Sequence, residues 1–329
     1  MDIDGDGYTD LLSGSWPGEL FLFRGTADHS FAVPEMLKDG NGEIINIGGG
    51  ITEESDGRML IRGNAEFERT GEGTFVKYRG KRLESTAERP ISTTGTASVV
   101  SAADWDADGD LDLIVGNING TVYLIPNEGT PKAYVFGKEQ HLLANGQPID
   151  VGSRAGPCVA DWDNDGDLDM LVGADDGSVS LFRNVGSGRS PKLASPVQLV
   201  GPGEASYGPR APREVRRGVR SKICVADWNG DGRPDLLVGD LAVQKPDRPE
   251  PAPEEKAEHE RIRKDLEPIM NRFNEATQRL VGPPRVRDTQ ERNRLLEERR
   301  QLAKQMEALE SKLPPEDETH GWVWLFVRK

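Results

Sequence analysis

An acidic nine-residue pattern recurs four times in this chain of 329 residues and limits its possible folds more than any other feature. The copies begin at Asp2, Asp104, Asp161 and Asp227. Each copy has aspartate at positions one, three, five and nine and glycine at position six, except that Asn229 replaces one aspartate in the last copy. Like charges this close together repel one another unless a cation lies between them. The recurrence therefore predicts a repeated unit with a bound cation in each copy.

The donor atoms and their spacing favour calcium as the cation. Calcium binds about six to eight oxygen atoms, and a loop that ligates it through alternate residues turns sharply at a glycine. Position seven is Tyr8, Asp110, Asp167 or Arg233, so we expect this position to offer its backbone carbonyl, with the two aspartates as additional charge. An EF-hand is excluded because its loop needs glutamate at position twelve, where this chain has Ser13 or a valine.

Short apolar runs follow the acidic loops and end at a glycine, as Leu113–Val115 before Gly116 does. Such runs predict buried strands, and the alternating segments that follow tight turns such as Asn119-Gly120 predict half-buried strands. Each unit can then be written as four strands, a to d, with the acidic loop between strands a and b. The intervals between loops suit one four-stranded blade, although the first interval is long.

The last unit contains a large insertion. Its framing glycines, Gly239 and Gly321, lie far apart in the sequence, whereas the other units have two such glycines at close spacing. The inserted sequence predicts two amphipathic helices, roughly 254–280 and 289–313, separated by a turn at 282–284. We expect an antiparallel coiled-coil hairpin in which Pro268 kinks or interrupts the first helix. The hairpin either contacts another chain or serves as a rigid spacer.

A second insertion explains the long first interval. Residues 49–95 are predicted to form an added β-hairpin, and a degenerate blade without a metal loop is the competing interpretation. The predicted organisation is therefore 1–243 for the blades, 244–319 for the helical hairpin and 320–329 for the strand that completes the last blade.

Composition excludes several classes of protein. The formal net charge is −15, and four Ca²⁺ ions would reduce it to about −7, so the acidity mainly reflects the loops and does not suggest nucleic-acid binding. No apolar run is long enough for a membrane span. The two cysteines, Cys158 and Cys224, precede their loops by the same spacing, which predicts neighbouring equivalent strands. Buried free thiols and a disulfide are both open for this pair.

The stretches DWDADGDLDLIVG, DWDNDGDLDMLVG and DWNGDGRPDLLVG resemble the FG-GAP or VCBS type repeat, the calcium-loop blade of integrin alpha-subunit propellers and of many secreted bacterial proteins. The resemblance covers about two thirds of the chain and excludes both insertions. It implies an all-β fold, a β-propeller of at least four blades carrying the inserted helical hairpin. It also implies about four structural Ca²⁺ ions, and a bacterial, secreted member of the family.

Carried over residue by residue, the resemblance assigns calcium ligands in all four loops, with position seven contributing its carbonyl. These are Asp2, Asp4, Asp6, Tyr8 and Asp10; Asp104, Asp106, Asp108, Asp110 and Asp112; Asp161, Asp163, Asp165, Asp167 and Asp169; and Asp227, Asn229, Asp231, Arg233 and Asp235. The tryptophans at position two, Trp105, Trp162 and Trp228, are expected to pack between blades.

The first unit departs from the pattern because Met1 stands where the other units have an alanine at the end of strand a. A blade without its first strand would leave an open sheet edge. We hypothesise that the reading frame begins upstream and supplies this strand together with a signal peptide. The expected location is extracellular, periplasmic or on the cell surface.

Antiparallel blades place their connections alternately at two ends. If the acidic loops lie at one end, both insertions and the connection 201–220 lie at the other. Loops on a rigid scaffold commonly carry binding surfaces, so we expect a protein or acidic polysaccharide partner at this other end. The candidate partner-binding residues are Arg210, Arg213, Arg216, Arg217 and Arg220. The sequence favours a non-catalytic binding or adhesion module, because motifs of serine hydrolases, zinc proteases and phosphate loops are lacking. A secreted polysaccharide-active enzyme and a structural cell-surface assembly protein are the alternatives.

Overall fold

The computed structural model describes residues 1–53, 58–62, 65–70, 73–78, 80–86, 89–205, 210–281 and 288–329. The chain forms two compact units. The first comprises Met1–Ala205, Arg216–Ala242 and Thr319–Lys329, and the second comprises Ser206–Val215 and Val243–Glu318. The predicted turn at 282–284 lies outside the described residues.

The described residues are mostly in β-strands, with two helices, and four of the sheets carry the acidic loops. We call these sheets repeats 1 to 4. Repeat 1 has β1 (Leu11–Gly14), β2 (Leu20–Phe23) and β3 (Glu35–Met36). An inserted region follows, with β4 (Gly50–Glu53), β5 (Met59–Arg62), β6 (Glu66–Thr70), β7 (Gly73–Tyr78), β8 (Lys81–Ser85) and β9 (Ile91–Thr94). Repeat 2 has β10 (Val99–Ala103), β11 (Asp112–Gly116), β12 (Val122–Ile125) and β13 (Gln140–His141), and the pair β14 (Leu143–Ala144) and β15 (Gln147–Pro148) comes after it.

Repeat 3 has β16 (Gly156–Ala160), β17 (Asp169–Gly173), β18 (Val179–Phe182) and β19 (Val197–Val200). Repeat 4 begins with β20 (Val219–Ala226) and β21 (Asp235–Gln244). Helices α1 (Pro253–Val281) and α2 (Thr289–Glu310) follow, and repeat 4 then ends with β22 (Glu318–His320) and β23 (Val323–Phe326).

The acidic loops connect the first two strands of repeats 2, 3 and 4, as the sequence predicts. In repeat 2 the loop joins Ala103 to Asp112, which are directly paired across antiparallel β10 and β11. The corresponding pairs in repeats 3 and 4 are Ala160 with Asp169 and Ala226 with Asp235. Because each loop starts and ends on a fixed strand pair, both ends of the acidic sequence are held by the sheet ladder.

Successive repeats pack against one another through their faces. The first strands of repeats 2, 3 and 4 lie side by side, with β10 against β16 and β16 against β20, and β10 also contacts β1, which follows the acidic loop of repeat 1. Three apolar cores fill the junctions. Their buried members include Leu20, Leu22, Leu113, Val115 and Ile125 between repeats 1 and 2; Trp105, Ile114, Val122, Met170, Val172 and Phe182 between repeats 2 and 3; and Leu171, Val179, Leu181, Leu236 and Val238 between repeats 3 and 4.

The inserted region at 49–95 is larger than the single β-hairpin predicted. It contains two three-stranded sheets, one ordered β4-β5-β9 and the other β6-β7-β8. Strand β9 runs parallel to β5. Met59, Ile61, Val76, Tyr78 and Ile91 form a separate core with members from both sheets. The prediction of a hairpin was wrong because only β9, which returns after β8, completes the first sheet, and this long-range pairing leaves no local turn signal.

The second unit is dominated by α1 and α2. Asp288 caps α2, where its carboxylate accepts hydrogen bonds from the backbone amides of Gln290 (2.7 Å) and Glu291 (3.1 Å). Apolar side chains are buried on both helices: Ile262, Ala276, Leu295 and Leu302. Ion pairs join Arg272 to Glu298 and Arg279 to Glu291, and this opposite numbering makes the helices antiparallel. The predicted helical hairpin is therefore present.

Helix α1 continues through Pro268 as one helix of 29 residues. Of the predicted kink or interruption at Pro268, the interruption is wrong, and the kink stays a prediction. Proline removes one backbone hydrogen bond and crowds the preceding turn, and the packing of α1 along α2 outweighs this local cost.

Candidate metal centres

The acidic loops bring their carboxylates together. In three loops, three aspartates each place an oxygen atom within 4.8 Å of the others. These groups are Asp2, Asp4 and Asp6 in the first loop, Asp104, Asp106 and Asp108 in the second, and Asp161, Asp163 and Asp169 in the third. The fourth loop has one carboxylate fewer at position three, because Asn229 stands there.

The glycine at position six is required by the backbone. Its φ is 91° at Gly7, 104° at Gly109, 93° at Gly166 and 81° at Gly232. This left-handed region is open to glycine and costly for residues with a Cβ atom. A Cβ atom at Gly166 would meet no described atom within 4 Å. The requirement is therefore conformational and does not come from crowding.

Position four of the loop adopts the same left-handed conformation but is not always glycine. It is Gly5 or Gly230 in two loops, Asn164 (φ 60°) in the third repeat and Ala107 (φ 55°) in the second. Asparagine tolerates this region better than alanine does. Ala107 is therefore the strained member of the set.

We expect Ala107→Gly to stabilise the protein by about 0.5–1 kcal/mol, because glycine relieves the left-handed strain and loses only part of that gain to its more flexible unfolded chain. Urea unfolding in the presence of chelator measures the effect without a metal contribution. Asn164→Gly is the matched control and should change the free energy of unfolding less. A loss of stability in Ala107→Gly would contradict this account.

Backbone amides of the loop donate to the carboxylates and hold them in place. In the third loop Asp161 accepts hydrogen bonds from the amides of Asp165 (3.0 Å) and Gly166 (3.0 Å). Asp165 accepts one from the amide of Asp167 at 2.9 Å. The first and fourth loops repeat this pattern, at Asp2 with Asp6 and Gly7, and at Asp227 with Asp231 and Gly232. The loop thus fixes its oxygen atoms through its own main chain.

The aspartate at position nine is buried and ties the loop to the sheet. In repeat 3 the carboxylate of Asp169 accepts from the amide of Trp162 (3.0 Å) and from the amide of Asn184 (2.7 Å). The same two contacts occur in every repeat: Asp10 with Ile3 and Gly25, Asp112 with Trp105 and Asn127, and Asp235 with Trp228 and Arg328. We call these four residues the latch aspartates.

The asparagines that contact the latch aspartates were not identified from the sequence. Asn127 and Asn184 are buried. The side chain of Asn184 accepts from the amides of Gly186 (3.0 Å) and Lys192 (2.9 Å), and Asn127 makes the equivalent contacts in repeat 2. Both follow their latch aspartate by the same number of positions, and this spacing is the signal that could have found them.

The burial of negative charge is reflected in the pKa values of the carboxyls. Burial raises the pKa of Asp112 to about 6; hydrogen bonds from the amides of Asn127 and Trp105 oppose this rise, and nearby carboxylates add to it. Burial also raises the pKa of Asp169 and of Asp110. The second and third loops therefore carry carboxyl groups that are poorly solvated and crowded by like charge.

Three carboxylate oxygens in the described loops are buried without a hydrogen bond, namely Oδ1 of Asp104, of Asp110 and of Asp163. A buried, unpaired carboxylate oxygen is costly unless it meets a cation. An all-oxygen donor set with several carboxylates is the set that calcium prefers. The residues present therefore fit a calcium ion in these loops.

Position seven is not uniform in the structure. Asp110 is buried, whereas Tyr8 is largely exposed. Asp167 is half-buried and Arg233 is exposed. The exposed side chains of Tyr8 and Arg233 are compatible with a position that offers only its backbone carbonyl. The buried oxygen of Asp110, which was predicted to be additional charge, makes that side chain a further candidate ligand.

Two arginines approach the position-three aspartates from outside the loop. Arg24 forms ion pairs with Asp4 and with Glu35, the second at 2.8 Å. Arg183 lies 3.4 Å from Asp163. The two arginines follow their aspartates at the same spacing and supply part of the positive charge around the loops.

The far end of the repeat sheets carries the turns and the connections between repeats. Within repeat 3 the backbone of Asp175 contacts both neighbouring connections, since its amide donates to Ser153 (2.9 Å) and its carbonyl accepts from Arg220 (2.8 Å). We call the end of the sheets that carries these turns and connections the turn end. It lies at the opposite end of strands β17 and β18 from the acidic loop.

The five arginines predicted to bind a partner are divided between the two units. Arg216, Arg217 and Arg220 belong to the first unit, whereas Arg210 and Arg213 belong to the second. Arg216 pairs with Glu204 at 2.9 Å, and Arg217 donates to the carbonyl oxygens of Gly177 and Gly201. Only Arg220 contributes to the charge cluster at Asp175 described below, where Arg154 and Lys222 join it.

Arg154 and Lys222 were not singled out from the sequence. Nε of Arg154 lies 2.9 Å from the carboxylate of Asp175, and Nε of Arg220 lies 3.6 Å from it. Burial lowers the pKa of Lys222, Arg154 lowers it further, and Asp175 opposes the shift. Both arginines have positive φ, 53° and 61°. This backbone feature marks the cluster, because strained residues concentrate at functional sites.

In the second unit, Arg213 lines a cavity of about 800 Å³ together with Lys245, Arg248, His259 and Pro315. Acidic side chains of the same unit, including Glu250 and Glu316, also line it. Positive and negative groups are mixed, so the cavity has no strong preference for one charge.

The two cysteines occupy equivalent positions on contacting strands, as predicted, but differ in exposure. Cys158 is half-buried and Cys224 is exposed. Burial raises the pKa of Cys158 to about 11. The neighbours of Cys224 on β20, Ile223 and Val225, face repeat 3, so Cys224 points to the opposite side of its strand. The prediction of two buried thiols was wrong for Cys224, and both cysteines are free.

The fold and the loops define a class of repeat protein. Its unit is an antiparallel sheet of up to four strands with an acidic loop, a candidate cation site, between the first two strands. Residues 104–172 and 161–238 match the family model described as FG-GAP-like repeat. Residues 104–238 therefore carry FG-GAP-like repeats, as the sequence resemblance predicted. The bacterial origin of the chain stays a prediction.

A curated relative supports the same family. The chain is 26% identical over 244 residues to integrin alpha-4 of Xenopus laevis. The match covers 68% of this chain and 22% of the relative. This chain therefore corresponds to about a fifth of that longer protein.

Proposed function

We propose that this chain is a calcium-stabilised, extracellular module of β-propeller type that binds a protein or an acidic polysaccharide without catalysing a reaction. The ligands proposed for calcium are the loop residues assigned above, and the partner would dock at the turn end. Similarity to an integrin alpha subunit supports a binding or adhesion module. Of the described helices, neither has an apolar stretch long enough to span a membrane.

The acidic loops support the structural part of the proposal. Their unpaired oxygen atoms belong to loops that join the first two strands of repeat 2 and the first two strands of repeat 3. A cation bound there would neutralise repulsion within each loop and keep the loop attached to its sheet. The proposed calcium ions therefore act on the scaffold and leave the turn end available for a partner.

The observation that carries the partner proposal is the group of three cations beside Asp175 at the turn end. Arg154 and Arg220 form ion pairs with the carboxylate of Asp175, and Lys222 interacts with it electrostatically. Asp175 neutralises one of these cations, so the cluster keeps an excess of positive charge. An anionic group of a partner would compensate it and would restore a favourable environment for the poorly solvated ammonium of Lys222. Carboxylate and sulfate groups of acidic polysaccharides, or acidic side chains of a protein, have this chemistry.

We expect the double variant Arg154→Asn and Lys222→Gln to bind dextran sulfate at least about tenfold more weakly, a loss of about 1.4 kcal/mol. Asparagine is chosen because it accepts the positive φ of Arg154. Binding is measured by isothermal titration at low salt, and the wild-type affinity should fall as salt increases.

The matched control removes the same charge elsewhere. Lys138→Gln with Arg189→Gln neutralises two exposed cations in the connections between the third and fourth strands. Equal weakening in both double variants would show that only net charge matters and would contradict a site at the turn end. Unchanged binding in the Arg154 and Lys222 variant would contradict it as well.

A further inference from the structure

A buried carboxylate in repeat 1 stands where the next two repeats have a hydroxyl group. Glu19 directly precedes β2, after the turn glycine Gly18. The equivalent residues, directly before β12 and β18, are Thr121 and Ser178. Glu19 is only 7% exposed, whereas the two hydroxyl residues are half-buried. Repeat 1 therefore encloses a carboxylate that the next two repeats lack.

The hydroxyl groups in repeats 2 and 3 close the turn that precedes the strand. Oγ1 of Thr121 donates to the side-chain oxygen of Asn117 at 3.0 Å, and Oγ of Ser178 donates to a carboxylate of its own turn at 2.6 Å. Repeat 1 reverses this contact, because Oγ of Ser15 donates to the carboxylate of Glu19 at 3.0 Å. A neutral side chain closes the turn in the other two repeats, so turn closure does not account for the charge of Glu19.

The partners of Glu19 in the protein are neutral. Its carboxylate accepts from the hydroxyl of Ser15 and from the side-chain amide of Asn46, the second at 3.4 Å. Among the residues that the structure describes, no arginine, lysine or histidine forms an ion pair with Glu19. A carboxylate removed from water is stabilised more by a cation than by neutral donors. Glu19 therefore has unused capacity to bind a positive charge.

A cavity of about 370 Å³ lies beside Glu19. It is at the turn end of repeat 1, because Glu19 follows the turn between β1 and β2. Its walls combine apolar and aromatic side chains with two exposed charged residues. The lining includes Glu19, Met36, Lys38, Glu43, Ile44 and Tyr78. The exposed charges of Lys38 and Glu43 are opposite in sign, so the remaining charge of the cavity is that of Glu19.

We propose that this cavity binds an ammonium group carried on an alkyl chain, as in a lysine side chain or a free alkylamine. The carboxylate of Glu19 accepts hydrogen bonds from the ammonium group and neutralises its charge. The apolar side chains of Met36 and Ile44 contact the alkyl chain, and the ring of Tyr78 offers an aromatic surface to the cation. The volume is within the range of small-ligand sites.

A metal ion fits this cavity less well than an organic cation does. In the described part of the chain, the groups of three acidic side chains that converge within metal-binding distance lie in the acidic loops, and Glu19 belongs to none of them. Calcium needs about six to eight oxygen ligands, whereas three of the cavity's side chains present carbon surfaces. Apolar walls around one buried carboxylate suit an ammonium group with an alkyl chain.

The test is a ligand-observed NMR titration of the full chain with n-butylammonium at constant ionic strength. The neutral probe is n-butanol, which has nearly the same size and shape. We expect wild type to bind n-butylammonium in the millimolar range, which suits a ligand of so few atoms, and to bind n-butanol at least about tenfold more weakly. This comparison uses the wild-type chain alone, so it does not depend on the folding of any variant.

Glu19→Gln removes the charge and keeps the contacts of the turn, because glutamine can accept from Asn46 and donate to Ser15. It should weaken n-butylammonium binding at least about tenfold and leave n-butanol binding unchanged. Glu43→Gln is the matched control, since it removes the same charge from the exposed side of the same cavity. It should weaken binding by less than about threefold. Circular dichroism verifies that both variants are folded.

A blocked tripeptide with a central lysine separates the two sources of the ammonium group. If the tripeptide binds more tightly than n-butylammonium, the site takes a lysine of a protein partner; if it binds more weakly, the site takes a free alkylamine.

Three results would overturn the proposal. Equal binding of n-butylammonium and n-butanol would show that the cavity does not recognise charge. Equal weakening in Glu19→Gln and Glu43→Gln would show that the buried carboxylate has no special role. Binding that is absent from wild type up to about 100 mM and appears only in Lys38→Gln would make Lys38 the internal partner of Glu19. The probes are cationic, whereas the partner proposed for the cluster at Asp175 is anionic, so the proposed function is tested separately.

Discussion

Calcium should raise the thermal midpoint of this protein by about 10 °C or more, and excess chelator should remove the increase. Each site that binds the folded but not the unfolded chain contributes about 2.7 kcal/mol when free calcium is 100-fold above the dissociation constant. Several acidic loops act on one cooperative unit, so their contributions combine. The structural reason is the cluster of carboxylates with unpaired oxygen atoms at Asp104, Asp110 and Asp163.

Calorimetry with calcium, magnesium and chelator provides the measurement, and elemental analysis of the dialysed protein gives the number of bound ions. Magnesium should stabilise less, because it requires a smaller octahedral site and retains its water. Asp161→Asn with Asp163→Asn should abolish one site and reduce the calcium-dependent increase. Asp231→Asn in the fourth loop offers a comparison in a site that already has one carboxylate fewer. A thermal midpoint that is the same in calcium and in chelator would exclude a structural role for the metal.

Asp169→Ala should destabilise the protein by about 3–5 kcal/mol even in the presence of chelator. The carboxylate accepts from the amides of Trp162 and Asn184, and its removal leaves both donors buried without a partner. Each unsatisfied buried donor costs about 1–3 kcal/mol. The effect is independent of metal, because the two hydrogen bonds are made within the protein.

Two variants separate this contribution from general loss of charge. Asp167→Ala removes the neighbouring acidic side chain at position seven, which makes no such paired contact, and should change stability by less than about 0.5 kcal/mol. Asp169→Asn keeps one acceptor oxygen and should give an intermediate loss. Urea unfolding in chelator measures all three. Equal stability of the alanine variants at 167 and 169 would contradict the role of Asp169 as a latch aspartate.

Much of the first unit could be predicted from its own sequence. The acidic loops, the buried strand after each loop and the tight turn that follows are local signals of charge spacing, glycine and alternation. They located β11, β12, β17 and β18 correctly. The apolar periodicity and the flanking prolines located both helices to within a few residues.

The inserted region at 49–95 shows where such signals fail. Strands β5 and β9 pair in parallel although they lie about thirty residues apart in sequence. A parallel pair has no hairpin turn between its strands, so turn residues in the sequence do not indicate it. The same limit applied to the arginines. A run of charged residues between 210 and 220 looks like one surface in the sequence, but the chain distributes it over two units and gives Arg216 and Arg217 partners of their own.

The residues of each candidate metal centre were predicted from the sequence, but the different structural roles of the aspartates within one loop were not. The aspartates at positions one, three, five and nine looked alike as carboxylates. The structure distinguishes the buried latch aspartates from the more exposed ones, because each latch aspartate accepts a hydrogen bond from a backbone amide beyond the third strand of the unit, such as that of Asn184. It also adds Arg154 and Lys222 to the charged residues of the turn end. Arg154 is remote in sequence from the arginine run, and Lys222 lies within a strand, so neither was singled out.

The sequence by itself determined that this chain is built from repeats with acidic, glycine-turned loops, since carboxylate spacing and left-handed glycines act over fewer than ten residues. Only the tertiary structure decided which surfaces those repeats leave uncovered. Tryptophan recurs at position two of the acidic loop in repeats 2, 3 and 4, so Trp105 and Trp228 have the same place in the sequence pattern. One is buried and the other exposed because burial depends on the neighbour that a repeat meets, and no residue within the repeat specifies whether that neighbour is present.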